Sequence, residues 1–149
     1  MSGHLSVQTA IVAALTANPA LASGNVLANT VRPMSAGINA GIVVRLMRSE
    51  AAQPQVIGGP FDWRTTFQIE CLARAATGAS EPIAAVDGLL SSAWARLAGM
   101  APGSNGVTDV RLDPAISWQV DDAETPLASA VISMQVSHIT DTATLAAWP

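Results

Sequence analysis

Apolar residues alternate with polar ones along four stretches of this chain, and recur every three or four positions along two others. The longest alternation is Phe61 to Thr77, FDWRTTFQIECLARAAT. Its odd positions are Trp63, Thr65, Phe67, Ile69, Cys71 and Ala73; its even positions are Asp62, Arg64, Thr66, Gln68, Glu70, Leu72 and Arg74. Side chains of a strand point to opposite faces in turn, so this segment predicts a strand with one apolar and one largely charged face. A dozen such residues at roughly 3.3 Å each span about 40 Å, long for a small domain. Ile42 to Arg48 (IVVRLMR) predicts a second strand with Ile42, Val44 and Leu46 on one side. From Val110 to Val120 every even residue is apolar, including Pro114, which donates no ladder hydrogen bond and so predicts an edge strand or a bulge. The return strand sets Ala128, Ala130, Ile132, Met134 and Val136 against Ser129, Ser133, Gln135 and Ser137.

Two segments carry the helical period. Val7, Ala10, Ile11, Ala14 and Leu15 follow Ser6, a suitable N-cap, and the pattern ends at Asn18-Pro19. Ile83, Val86, Leu90, Ala93, Trp94 and Leu97 form one face of a second helix, capped by Ser80, opened by Pro82 and closed by Gly99. Between the first helix and the first long strand, Gly24-Asn25 reads as a turn, Asn29 to Arg32 as a short strand stopped by Pro33, and 34–41 as a flexible connection. The resulting order is α-β-β-α-β-β with a possible extra strand. It predicts an α+β domain over 1–149: an antiparallel or mixed four- to five-stranded sheet with two helices packed on one face. A long hairpin loop, 49–60, carries the apolar pair Val56 and Ile57 at its tip; an acidic tip, Asp121–Pro126, joins the last two strands; and a short tail runs over 141–149 with Trp148 near its end.

Composition narrows the function classes. The chain has 149 residues, half of them hydrophobic, only 12% charged, with a net charge of −4. That suits one folded domain rather than disorder. Lysine is absent, and the arginines (Arg32, Arg45, Arg48, Arg64, Arg74, Arg96, Arg111) are scattered. Phosphate binding needs basic groups together, so nucleic-acid recognition is not expected. The lone Cys71, on the apolar side of its strand, reads as a buried thiol, and the absence of any disulfide partner fits a reducing compartment. Residues 7–17 followed by Ala20-Leu21-Ala22 resemble a secretory signal, but no basic residue precedes them and Gln8 and Thr9 interrupt them, so export is not expected. No apolar run reaches the ~18 residues of a membrane span.

Catalytic constellations are hard to assemble. His4 is expected in a loose terminus, and His138, beside Ser137 and three residues from Asp141, at a surface or strand edge. Neighbours on one strand point to opposite faces, which defeats a Ser–His–Asp arrangement. Two histidines and one cysteine far apart make no metal site, and Asp121, Asp122 and Glu124 lack the spacing of a calcium loop. No glycine pair matches a phosphate or dinucleotide loop. Arg64 and Glu70 share the wet face and could pair across a subunit boundary or merely with water, and surface pairs contribute little either way. No catalytic residue, cofactor or metal is expected.

The arrangement resembles the tail terminator (tail completion) proteins of long-tailed bacteriophages. The resemblance is carried by the helix SVQTAIVAALTA, the IVVRLMR strand with its long loop, the FDWRTTFQIECLARA strand entering the SEPIAAVDGLLSSAWARLAG helix, and the closing hairpin VRLDPAISWQV…ASAVISMQVSH. It implies a six-fold homo-oligomeric ring that caps the tail tube, ends tube polymerisation and presents the head-joining surface. The implied partners are further copies of the chain, the tail tube protein and a head-completion or neck protein, with DNA passing the lumen unbound and no membrane. The implied location is the tail–neck junction of a virion assembled in the bacterial cytoplasm. Candidate contacts, ranked by expected exposure, are Arg48, Gln53, Gln55, Val56 and Ile57 around the long loop, Arg64 and Glu70 on the wet face, Asp121, Asp122 and Glu124 at the acidic tip, and Trp148. Another phage neck connector is the alternative; a small-molecule-binding α+β domain is the alternative of a different class.

Overall fold

The computed structural model describes residues 1–30, 34–35, 37–52, 58–75, 81–103, 106–121 and 126–149. The elements follow in the order α1 (Gly3–Thr16), a 3-10 turn (Leu21–Gly24), β1 (Val26–Ala28), β2 (Ala40–Ala51), β3 (Phe61–Arg74), α2 (Ile83–Ala98), β4 (Val107–Asp121) and β5 (Leu127–Thr140). The five strands form one mixed sheet ordered β1-β2-β3-β5-β4, with β1 parallel to β2 and the other pairs antiparallel. Both helices pack on the same face, and the α+β class expected from the alternations is the fold observed.

Register explains the core. Ile42 faces Cys71, Cys71 faces Ala130, and the same row continues through Ile69 with Ile132 and Phe67 with Met134. All are fully buried, together with Val7, Ile11 and Leu15 of α1 and Val86, Ala93 and Leu97 of α2. Each large side chain so buried contributes about 1.5–3 kcal/mol, which is how the odd positions of β3 hold the domain together.

Several local expectations need correction. The first helix begins at Gly3, capped by Ser2 rather than Ser6. Its first turn is held by the Gly3 N–H donating to Leu145 O at 2.7 Å and by His4 stacking on Trp63, so His4 is not in a loose terminus. The early strand is Val26–Ala28, not Asn29–Arg32. Asn29 has φ +54, a left-handed conformation that ends an extended run, while Arg32 and Pro33 lie outside the described residues, as does the Ser80 cap. Pro82 occupies the N-cap of α2 and its carbonyl accepts from Val86 N–H. The loop expected over 49–60 is shorter: Ser49, Glu50 and Ala51 continue β2 opposite Thr65, Arg64 and Trp63 after a bulge at Met47. β4 is an edge strand and is also bulged between Leu112 and Ile116, at Pro114.

The connection before β2 is pinned rather than free. Arg74 donates its backbone N–H to Asn39 O and its Nε to Ile38 O, and Met34 lies against Gly41, where a Cβ would come within 3.2 Å of Met34 Cγ. At this end even the outer face is partly apolar, with Val43 fully buried and Leu72 nearly so. Residues 7–15, which echo a signal sequence, are a core helix.

Candidate functional site

Three features of the fold bear on function: the uncovered sheet face, the two ends of the sheet, and a polar cluster beneath the first turn of α1.

The uncovered face carries the wet positions of four long strands. Glu70 pairs with Arg45 of β2 at 2.5 Å, not with Arg64, because Arg45 stands beside Gln68 in the β2–β3 register and reaches Glu70 on the diagonal. Arg64 lies opposite Glu50 in register and is exposed, while Glu50 pairs with Arg48. Across β3 the face continues through Gln68, Thr66, Ser133, Gln135 and Ser137. The Arg48–Glu50 pair is exposed and contributes little to stability, whereas Arg45–Glu70 is part-buried, so charges on this face are locally balanced.

The expected contact residues separate to opposite ends of this plane. Arg48 and Arg64 stand at the end where β2 leads into β3, and the tail returns to that same end. There Thr140 bridges Ala147, and Trp148 N–H donates to Ile139 O. The Asp141 carboxylate, held below the usual range by hydrogen bonds from the Ala143 and Thr144 N–H groups and the Thr144 hydroxyl, shapes the turn. Trp148 thus tucks its backbone into its own domain while its side chain stays 42% exposed. Asp121 lies exposed at the other end, where β4 stops opposite Leu127. Gln53, Gln55, Val56, Ile57, Asp122 and Glu124 lie outside the described residues.

Beneath the first turn of α1, His138 of β5 is fully buried rather than at a surface or edge, because β5 lies inside the sheet between β3 and β4. Its Nε2 is 2.9 Å from Thr65 Oγ1, which is 2.9 Å from Ser49 Oγ. His4 stacks edge-on against both Trp63, at 4.7 Å between centroids, and His138, at 4.9 Å. Trp63 Nε1 donates to Thr140 Oγ1 at 2.8 Å. Burial, and then the charge His4 would carry, push His138 down to about 4. Among the described residues no carboxylate joins this hydrogen-bonded chain, and its central members Thr65 and His138 are fully buried, with Ser49 half-buried at its end, so the arrangement is one of packing rather than of an exposed nucleophile with its base. The buried Nδ1 of His138 has no hydrogen-bond partner among the described residues.

Sequence reasoning missed this cluster although its signal was present. His138 and Thr140 continue the even, apolar positions of the last strand, and His4 continues the α1 stripe three residues before Val7. It missed Arg96 as well, whose guanidinium donates to the carbonyls of Ala14, Leu15, Ala17 and Pro19 at the end of α1. Cys71 is buried as expected, and its thiol is pushed up to about 12, first by burial and then by the neighbouring Glu70 charge. Among the described residues no group of three or more potential metal ligands converges, and no helix is long and apolar enough to cross a membrane.

No protein-family model and no curated protein matches this chain.

Proposed function

We propose that this protein is a structural assembly component of a long-tailed phage particle, a ring-forming tail terminator that caps the tail tube and presents the surface for the head. The observation that carries the reading is the five-stranded sheet with helices on one side only. Its other face is a broad plane of balanced charge and hydroxyls, bounded by two unlike edges. Such a module buries its surface against other proteins rather than around a small ligand, and head-to-tail contacts between identical copies close into rings. The resemblance of the helix, strand and loop order to tail terminators supplies the particular assembly.

On this reading the end bearing Arg48, Arg64 and the tail meets the tube. The lack of any basic cluster leaves DNA free to slide through the lumen. The test is electron microscopy of the protein mixed with tail-tube protein or with the portal-side neck protein of the same particle. Six-fold rings seated on tube ends are expected. Binding to the neck protein alone would replace the reading with a head-completion connector, and binding to neither would end it.

A further inference from the structure

We infer that the outer edge of β4 is a self-pairing surface, at which two copies of this chain join antiparallel about a two-fold axis through Trp118. The inference uses the fold alone and goes beyond the ring, since a contact of like with like does not build a head-to-tail ring.

The edge has two unlike halves. From Val107 to Ala115 it is guarded by the devices that keep strands from pairing: the Asp109–Arg111 ion pair, Asp113, Pro114 and the bulge between Leu112 and Ile116. From Ile116 to Val120 it has none of these: the residues are Ile, Ser, Trp, Gln and Val, uncharged and in unbroken register with β5. Trp118 and Val120 face the helix side, opposite Ala130 and Ala128, which are fully buried, yet they are 42% and 46% exposed themselves. The far edge of the sheet, β1, is only three residues long.

The occupant follows from register and charge. Residues directly opposite in an antiparallel pair share a face, so an apolar row must meet an apolar row, and a slip by one position sets apolar against polar. Pairing about Trp118 sets Trp118 on Trp118, Ile116 on Val120 and Ser117 on Gln119. A slip by two positions one way brings Asp121 directly against Asp113, and a slip by two the other way carries Ile116 past the end of the partner's strand at Asp121. In the Trp118 register the two Asp121 carboxylates stand six positions apart, about 20 Å at strand spacing, while each is a diagonal neighbour of the other copy's Asp113, two positions along on the same face, a repulsion of like charges that weakens the contact. This alignment sets apolar on apolar and polar on polar over the whole uncharged half and keeps Asp121 and Asp113 of the two copies from standing directly opposite. A contact this small sits at the low end of interface size, so the dimer is weak.

Sedimentation of the purified chain over micromolar to millimolar concentration tests it, with circular dichroism to confirm folding. The expected result is a concentration-dependent dimer that Trp118→Lys and, separately, Val120→Lys abolish with the fold intact. Under mild oxidation Trp118→Cys should crosslink to itself, whereas Val120→Cys should not, because its sulfurs would lie four positions apart, about 13 Å at strand spacing, too far for a disulfide. Cys71 is buried and does not interfere. A monomer at every concentration, a dimer indifferent to both lysines, or crosslinking of Val120→Cys in place of Trp118→Cys overturns the inference. Rings that form on tube ends in the lysine variants would leave the terminator reading standing while this contact fails or succeeds on its own data.

Discussion

Replacing Arg96 with methionine keeps the aliphatic stem against the core and removes only the charged fork. An α-helix ends with four carbonyls that no helical N–H reaches, and here the guanidinium of α2 supplies the donors for the end of α1. Nη1 donates to Ala14 O at 3.3 Å, Leu15 O at 3.0 Å and Ala17 O at 2.7 Å, and Nη2 donates to Pro19 O. Hydrogen bonds to a charged group contribute about 1.5–3 kcal/mol when their partners stay buried. The Ala14 and Leu15 carbonyls are part-buried, while the Ala17 and Pro19 contacts are exposed and water can replace them. Allowing for two unreplaced bonds, partial rehydration, and the favourable position of a cation at a helix C-terminus, the loss comes to about 3 kcal/mol. In a chain of this size that corresponds to a fall in Tm of roughly 6–12 °C. Urea unfolding followed by tryptophan fluorescence should show the midpoint shifted with an unchanged m-value. Arg96→Lys should recover less than half, since one ammonium cannot span four carbonyls. A methionine variant within about 0.5 kcal/mol of the parent would show that these contacts do not cap α1 in solution.

Three further outcomes are expected. His138 titrates near 6.5 in the unfolded chain and at about 4 in the fold; between those values the unfolded chain takes up a proton that the fold refuses, so stability falls as pH drops through that window, by about 3 kcal/mol in all. His4 is shifted in the same direction; the slope should flatten in His138→Gln, and equal slopes in both proteins would contradict the burial. Gln8, buried on α1, donates Nε2 to Asn29 Oδ1 and Val44 O and accepts from Asn29 Nδ2, all at 3.0 Å, so Gln8→Ala should cost about 2 kcal/mol, and a double-mutant cycle with Asn29→Ala should show coupling of about 1 kcal/mol rather than additivity. Cys71, buried with its thiol pushed up to about 12, should resist a thiol reagent at pH 8 until urea unfolds the chain; rapid labelling of the native protein would contradict its position.

The strands were legible because their two faces meet different surroundings. The odd positions of Phe61–Arg74 are mostly apolar since the helices cover that face, and the even positions up to Glu70 are polar, with Leu72 the exception where the outer face turns apolar. The same rule, carried two residues past Val136, would have placed His138 inside. What hid it was residue type, because a histidine is weighed first as chemistry and only then as a filler of space. Arg96 had no such signal: its acceptors precede it by about eighty positions, and no local pattern links a basic residue in one helix to the end of another. The parallel β1–β2 pair was equally silent, since three residues are too few to show a period.

The uncovered half of β4 follows from the lengths of the elements. Helices of 14 and 16 residues, at 1.5 Å per residue, are about 21 and 24 Å long. Strands of 14 and 15 residues, at roughly 3.3 Å, are about 46 and 50 Å long. Two helices cannot roof a sheet twice their length, so apolar positions at the strand ends must either shrink to alanine, overhang into water or meet another molecule. The interior strand β5 takes the first course, with Ala128 and Ala130 where β4 has Val120 and Trp118. The edge strand keeps its large side chains where no helix shields them. The length mismatch between helices and strands is what leaves Trp118 and Val120 exposed there, at the place the proposed self-contact of β4 would cover.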